Sequence, residues 1–358
     1  MTPVSKTAAS HADLQGTNLY RVAIVGAGTL RGKEVAEVLK DRNFPAVDVR
    51  LLDDEESLGR LEALGDEMSF IQSIRSEQFE RVDFTFFAAE AISTRGNWKM
   101  ARDLGNTIVD LSFALADEAG ASVRSPWIER QSGQPVLPEL QPGPVVTAHP
   151  AATVLALLAL RSSNPGKGKV QRFVATVFEP ASEHGQKGMD ELHEQTANLL
   201  TFQDLPKNVF DAQVAFNMLA RYGPRSEPSL DAVSQRILKH YKLIAPEAVP
   251  PALLVVQAPT FHGHAFSVYL EMEKPVALAD FAQTLAGDHV VVASGAEEVP
   301  NNVSAAGQGD ILVSLARDPN HENGIWLWAA SDNLRVAALT AVECAETMTA
   351  SRPRGQIQ

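Results

Sequence analysis

The sequence predicts an α/β protein in two parts: a doubly wound parallel sheet, then an α+β unit carrying a large mixed or antiparallel sheet. Three observations predict it. The β-branched run Tyr20 to Val25 leads straight into glycines and a helical stretch, strands and helices alternate as far as Pro150, and beyond Pro150 the strands cluster. Alternation requires crossover connections and hence parallel strands, whereas clustered strands pair with their neighbours in sequence.

Tyr20 to Val25 reads as a buried strand, followed by a helix from about Lys33 to Lys40 and a second strand at Val47 to Leu52. Further strands are expected at Phe84 to Ala88 and Thr107 to Leu111. In the second part, helices are expected at Ala151 to Arg161 and Met189 to Leu200, with strands at Gln171 to Phe178, Ala252 to Gln257, Ala265 to Glu271 and Ile325 to Ala330. A last helix, Asn333 to Met348, sets Leu334, Ala338, Ala341, Val342 and Ala345 at helical spacing, so it needs a partner surface. The expected divisions are a frayed tail (1–18), a first unit (19–150), a second unit (151–331) and the C-terminal helix (332–358).

A chain of 358 residues fits two domains at roughly 150 residues each. Apolar residues make up 45% and charged residues 21%, without repeats, which excludes collagen, coiled-coil and low-complexity classes. A net charge of −13 argues against nucleic acid and anionic membrane as partners. The longest apolar run, Ala151 to Leu160, is about half a membrane span, and the first 18 residues lack the apolar core of a signal peptide. The single cysteine, Cys344, excludes an internal disulfide and a multi-cysteine metal site and suits a cytoplasmic protein. No metal is expected.

The first strand enters Gly26-Ala27-Gly28-Thr29-Leu30-Arg31-Gly32. Glycines between strand and helix let the backbone approach a pyrophosphate at a helix N-terminus, the arrangement of a Rossmann-type dinucleotide-binding domain. The candidate contacts are Gly26, Gly28, Thr29, Leu30 and Gly32. The same spacing also serves a tight turn that binds nothing. Asp53 opens a run of four carboxylates at the end of the second strand. A ribose hydroxyl could donate to them and a 2′-phosphate would be repelled, favouring NAD over NADP, although a solvated charge run has the same composition.

Four stretches in order resemble the aspartate-semialdehyde dehydrogenase family. Pro138-Glu139-Leu140 with His149-Pro150-Ala151-Ala152-Thr153 is similar to PEVN and NPNCST, and Phe178 to Leu192 with Glu194-Gln195-Thr196 is similar to YQAVSGAGxxGxxEL and EQT. Gly263-His264-Ala265 is similar to GHS or GHG, and Trp328 with Asp332 to Ala338 to WxxxDNLRKGAA. The resemblance implies a Rossmann-type NAD(P)-binding domain, a dimerisation and catalytic domain, and a C-terminal helix returning to the first. The family interconverts L-4-aspartyl phosphate and aspartate semialdehyde with NADP in amino-acid biosynthesis.

Set against that pattern, the chain lacks the chemistry. Ala152 holds the position of the cysteine nucleophile, and a methyl group forms no thioester. His264 stands at the general acid/base position, with a structural histidine as the bland alternative. Gln257 replaces a substrate-binding arginine, and Glu179 a glutamine that orients the thioester. The phosphate-gripping arginine is missing from Leu111 to Leu115, the family's Glu-Glu-x-Lys has no counterpart in Ser226 to Arg236, and Glu90-Ala91 stands in a glycine-rich loop ahead of the cofactor-side Ser93. The expectation is a non-catalytic member that dimerises through the second domain, as a homodimer or with an active paralogue. An enzyme using His149, Ser182, His184 or His264 is the alternative.

Overall fold

A computed structural model describes residues 19–54, 59, 61–64, 67–133, 143–163, 168–293 and 299–349. The expected tail, Pro138-Glu139-Leu140, Glu55, Glu56 and the chain beyond Thr349 lie outside the described residues.

The first unit runs β1 (Tyr20–Val25), α1 (Leu30–Asp41), β2 (Ala46–Asp53), a side hairpin β3 (Leu61–Leu64) and β4 (Glu67–Phe70), β5 (Gln72–Ser73), β6 (Phe84–Phe87), α2 (Ala91–Asp103), β7 (Thr107–Asp110), β8 (Ser122–Arg124), α3 (Pro126–Gln131) and β9 (Val145–Thr147). Its seven-stranded sheet has the order β5-β2-β1-β6-β7-β9-β8, and every pairing is parallel. Because side chains alternate across a strand, β1 feeds two cores. Tyr20, Val22 and Ile24 pack with Val35 and Leu39 of α1, while Ala23 and Val25 pack with Trp98 and Ala101 of α2. Helix α1 begins three residues before the expected Lys33, since Thr29 caps it by accepting the Gly32 N–H at 3.0 Å.

The second unit comprises α4 (Pro150–Ser162), β10 (Val170–Glu179), a short 3₁₀ turn (Ala181–His184), α5 (Gly185–Leu200), α6 (Leu230–Ile244), β11 (Ala252–Gln257), β12 (His264–Met272), α7 (Leu278–Leu285), β13 (Val290–Val292), α8 (Asn302–Ala305), β14 (Ile311–Arg317) and β15 (Gly324–Ser331). The six strands form a mixed sheet, β11-β10-β12-β15-β14-β13, with parallel pairs at both edges and antiparallel pairs between. Its inner face (Phe173, Val177, Phe266, Val268, Leu327) meets α4 and α6. Its outer face leaves Val174, Leu254, Trp326 and Trp328 exposed.

Helix α4 is apolar all round because it lies between the two units, touching α3 and α9 on one side and β10, α6 and α7 on the other. The last helix, α9 (Asn333–Thr349), leaves β15 and returns to the first unit against α1. Asp332 Oδ1 accepts the Leu334 and Arg335 N–H groups at its start, Arg335 pairs with Glu34 and Asp41, and Tyr20 Oη donates to the Thr349 carbonyl at its end. No helix among the described residues is long and apolar enough to cross a membrane.

At Gly32 a Cβ would lie 2.1 Å from the Gly26 carbonyl oxygen, so α1 can meet the glycine turn only without a side chain there. Gly32→Ala is expected to lower the unfolding free energy by about 1–3 kcal/mol. Urea denaturation measures this, and an unchanged midpoint would show that the turn yields without loss.

Candidate functional site

The glycine turn lies at the carboxyl end of β1, where the strand order reverses between β2 and β6, the place where open parallel sheets bind ligands. Gly26 holds φ at +84°, and a Cβ there would lie 2.4 Å from the Ala89 nitrogen. Only glycine fits. Gly28 donates its N–H to Asp53 Oδ2 at 2.8 Å, while Asp53 Oδ1 accepts the Asp54 N–H at 2.9 Å. Asp53, expected at a ribose, thus also braces the turn, and each of its oxygens keeps a lone pair for a further donor. Thr29 spends its hydroxyl on the Gly26 carbonyl and the α1 cap, and Leu30 opens the helix. The turn fits a dinucleotide pyrophosphate: Gly28 has no side chain to obstruct it, and the helix begins immediately beyond. Ser93 sits in the first turn of α2, behind Glu90, whose carboxylate pairs with Lys187 at 3.2 Å.

Across the cleft, α4 begins where the family resemblance expects the nucleophile. Ala152 is its third residue and is fully buried. His149 caps the helix: Nδ1 accepts the Ala151 N–H at 3.2 Å, which leaves the ring hydrogen on Nε2. The ring stacks on Phe113, with centroids 5.4 Å apart, and the His149 N–H donates to His240 Nδ1 at 3.0 Å. Burial drives the His149 pKa well below the usual histidine range, and burial with the nearby Arg236 charge lowers His240 to about 4.

The 3₁₀ turn after β10 brings Glu183 to the centre of the cleft. Its Oε1 accepts from Asn333 Nδ2 at 2.9 Å and lies 3.7 Å from His264 Nε2. Its Oε2 meets Arg31 at 3.2 Å and lies 4.0 Å from His149 Nε2. Burial opposes ionisation of Glu183, but the His149 and His264 rings where they are protonated, the Arg31 guanidinium and the Asn333 hydrogen bond outweigh it and hold the carboxyl far below the usual range. His264 is fully buried and neither ring nitrogen has a hydrogen-bond partner among the described residues. Ser182 is committed elsewhere, donating to Asn333 Oδ1 at 3.2 Å.

A second chain of contacts runs behind Glu183. Tyr222 Oη donates to Gln257 Oε1 at 2.7 Å, so its oxygen can accept the His184 Nε2 hydrogen at 2.8 Å. Burial raises the Tyr222 pKa, and the nearby Glu179 and Glu183 charges raise it further, which keeps the phenol protonated. Gln257 Nε2 donates to the Glu179 and Ala258 carbonyls, so its amide is spent on the protein and has no donor left for a substrate carboxylate. Glu179 is fully buried, with Oε1 3.0 Å from His184 Nε2. Glu191 and Gln195, which belong to the family-like motif, hold the long segment after α5 by accepting the N–H groups of Asn208, Val209, Phe210 and Val214. That segment delivers Tyr222.

A cavity of about 210 Å³ opens here, lined by Arg31, His149, Glu179, Glu183, His184 and Arg236 among others. Where the resemblance leads one to expect a phosphate-gripping arginine, Asp110 accepts the Ser112 and Leu115 N–H groups, and Phe113 adopts φ +63°. Two guanidiniums flank this ring, Arg31 at 5.5 Å and Arg236 at 5.3 Å. The fold therefore brings His149, His184, His264 and Glu179 together, with Ala152 buried in the first turn of the helix that His149 caps, and adds Arg31, Glu183, Tyr222 and Arg236, which sequence reasoning missed. Arg236 lies on α6, an element not expected from the sequence, although Ser229 as its cap and Leu230, Val233, Ile237 and Tyr241 at helical spacing carried the signal. Among the described residues no group of three His, Cys, Asp or Glu side chains could hold a metal ion.

Residues 21–148 match the family described as semialdehyde dehydrogenase, NAD binding domain, and residues 165–336 match semialdehyde dehydrogenase, dimerisation domain. The chain is 32% identical to a USG-1 protein homolog of Pseudomonas aeruginosa, over 91% of this chain and 97% of that one. It is 26% identical to an aspartate-semialdehyde dehydrogenase of Rickettsia bellii, over 93% of this chain and 98% of the relative. A solved structure of a probable aspartate-semialdehyde dehydrogenase from Pseudomonas aeruginosa superposes with a TM-score of 0.80 at 29% identity, covering 92% of this chain and 98% of that one.

Since burial keeps His149 neutral in the folded state, its folded pKa lies below its unfolded one. The unfolded chain therefore takes up a proton as pH falls below about 6.5 while the folded chain resists it. Stability is expected to fall below that pH, and His149→Asn, which can still cap α4, should flatten the slope by up to about 1.4 kcal/mol per pH unit. Denaturation at a series of pH values between 7 and 4 measures it. Parallel curves for the two proteins would count against a neutral His149.

Proposed function

We propose, for a chain that belongs to the aspartate-semialdehyde dehydrogenase family, a function without that family's thioester chemistry: a non-catalytic member that binds a dinucleotide, dimerises through its second domain and stands beside the family's amino-acid biosynthetic reaction. The observation that carries this reading is the fully buried alanine at the position of the family's nucleophile, Ala152, in the first turn of the helix that His149 caps. No thiol can replace it. Cys344 is fully buried in α9, where burial pushes its pKa up to about 12, so it supplies no thiolate.

The acyl phosphate would also meet the wrong charges. A second negative charge about 4 Å from Glu179 or Glu183 is opposed by roughly 4 kcal/mol at an effective dielectric of about 20, and Arg31 is already paired with Glu183. The Gln257 amide faces backbone carbonyls, where the family's reaction calls for a guanidinium on the substrate. Support for dimerisation comes from the matched domain and from the apolar outer face of the mixed sheet, with Val174, Leu254, Trp326 and Trp328 exposed. The same face would serve a copy of this chain or an active relative. A cytoplasmic setting is consistent with the single, unpaired cysteine.

For the cofactor, Asp53 at the end of β2 supports NAD over NADP, since a 2′-phosphate would approach its carboxylate. Calorimetry should show NAD binding at least about tenfold tighter than NADP, a difference of about 1.4 kcal/mol. Equal affinity would remove Asp53 as the discriminator.

Ala152→Cys tests the catalytic reading. Restoring the thiol alone is expected to leave semialdehyde turnover with phosphate and NAD or NADP at least about a hundredfold below that of an active relative, because the clamps are also missing. Family-level turnover in that variant would overturn the proposal.

A further inference from the structure

Two buried groups of the cleft lack hydrogen-bond partners among the described residues, the His264 ring and the Glu179 carboxylate. Glu179 stands at the last residue of β10, fully buried, on the wall of the 210 Å³ cavity, and neither carboxylate oxygen receives a hydrogen bond from the described residues. Its nearest neighbour does not supply one. His184 Nε2 lies 3.0 Å from Glu179 Oε1, yet its single hydrogen is directed at Tyr222, whose own hydrogen is spent on Gln257. Glu183, in contrast, is satisfied by Arg31 and Asn333. Buried carboxylates persist only when paired, so the unmatched donor requirement falls on whatever enters the cavity.

We infer that this cavity is a binding site for a small protonated primary amine, whose ammonium group donates to Glu179 at the place where the family's acyl group would react. An ammonium carries three donors and no acceptor, which matches a carboxylate that accepts no hydrogen bond from the described residues. Glu227 adds a further carboxylate to the lining. Arg236, exposed on α6 and set against the Phe113 ring, also lines the cavity, so two guanidiniums stand there against the three carboxylates of Glu179, Glu183 and Glu227. Inorganic phosphate or a carboxylate would enter against that excess of carboxylates, with Arg31 already paired to Glu183.

This rests on the reading that the cleft no longer takes the acyl phosphate, and the two can fail separately. The experiment is calorimetry on the full chain without dinucleotide, using 1,4-diaminobutane, the uncharged 1,4-butanediol of the same length, and inorganic phosphate. The expected result is saturable binding of the diamine alone, weakened at least about tenfold in Glu179→Gln, a variant that restores the glutamine of the family pattern. Absence of diamine binding with phosphate also inert would overturn the amine inference and leave the functional reading standing. Phosphate binding within the cleft would overturn both. Equal diamine affinity in Glu179→Gln, or binding of the diol as tightly as the diamine, would place the contact elsewhere and overturn the inference. Should the variant fail to fold, the diamine-to-diol comparison on the unaltered protein decides.

Discussion

The buried carboxylate of Glu183 is the constraint around which the two halves of this molecule meet. An ion taken out of water is tolerated only with compensating partners, and each of these comes from a different element. Arg31 reaches in from the first turn of α1, Asn333 from the start of α9, His149 from the cap of α4 and His264 from the start of β12. One charge thus ties the dinucleotide domain to the mixed-sheet domain at the bottom of the cleft. The same turn that presents Glu183 also presents His184 and ends at Gly185, whose φ of +66° redirects the chain into α5.

Around that centre, the architecture follows the family while the proposed loss of its chemistry rests on individual side chains. The elements that position a site are intact: a helix starting at Ala152's turn, a glycine turn opposite it, and a returning C-terminal helix locked to α1 through Arg335. The positions where the family resemblance expects thioester chemistry carry other residues. Gln257, Phe113 and Asp110 each have a complete structural occupation, in hydrogen bonds to backbone or in ring packing between guanidiniums. Residues with their bonding capacity spent in this way have been absorbed into the scaffold, and restoring one neighbour does not release them.

Much of the fold was legible because hydrophobic periodicity acts locally. β1 and β11 span the predicted residues, and α4 differs by one residue at each end. The departures have identifiable causes. α1 starts early at the Thr29 cap, and α5 starts at Gly185, four residues before Met189, because the 3₁₀ turn feeds directly into it. α6 lies outside the predicted elements although its apolar spacing is regular. The motif residues Glu191 and Gln195 were visible as a pattern, but their work, accepting backbone N–H groups up to 20 residues away, was not.

By itself, then, the sequence determined the α/β class, the strand–glycine–helix turn, the family and the absence of a cysteine at position 152, since each follows from residue type and spacing along a short stretch. Only the tertiary structure decided that Asp53 braces the glycine turn, that Gln257 faces the backbone, and that Arg31 and Glu183, 152 residues apart, neutralise each other. The physical reason is that burial and ion pairing depend on distances across the fold, set when α1, α4, β10 and α9 pack together, and no local pattern encodes them.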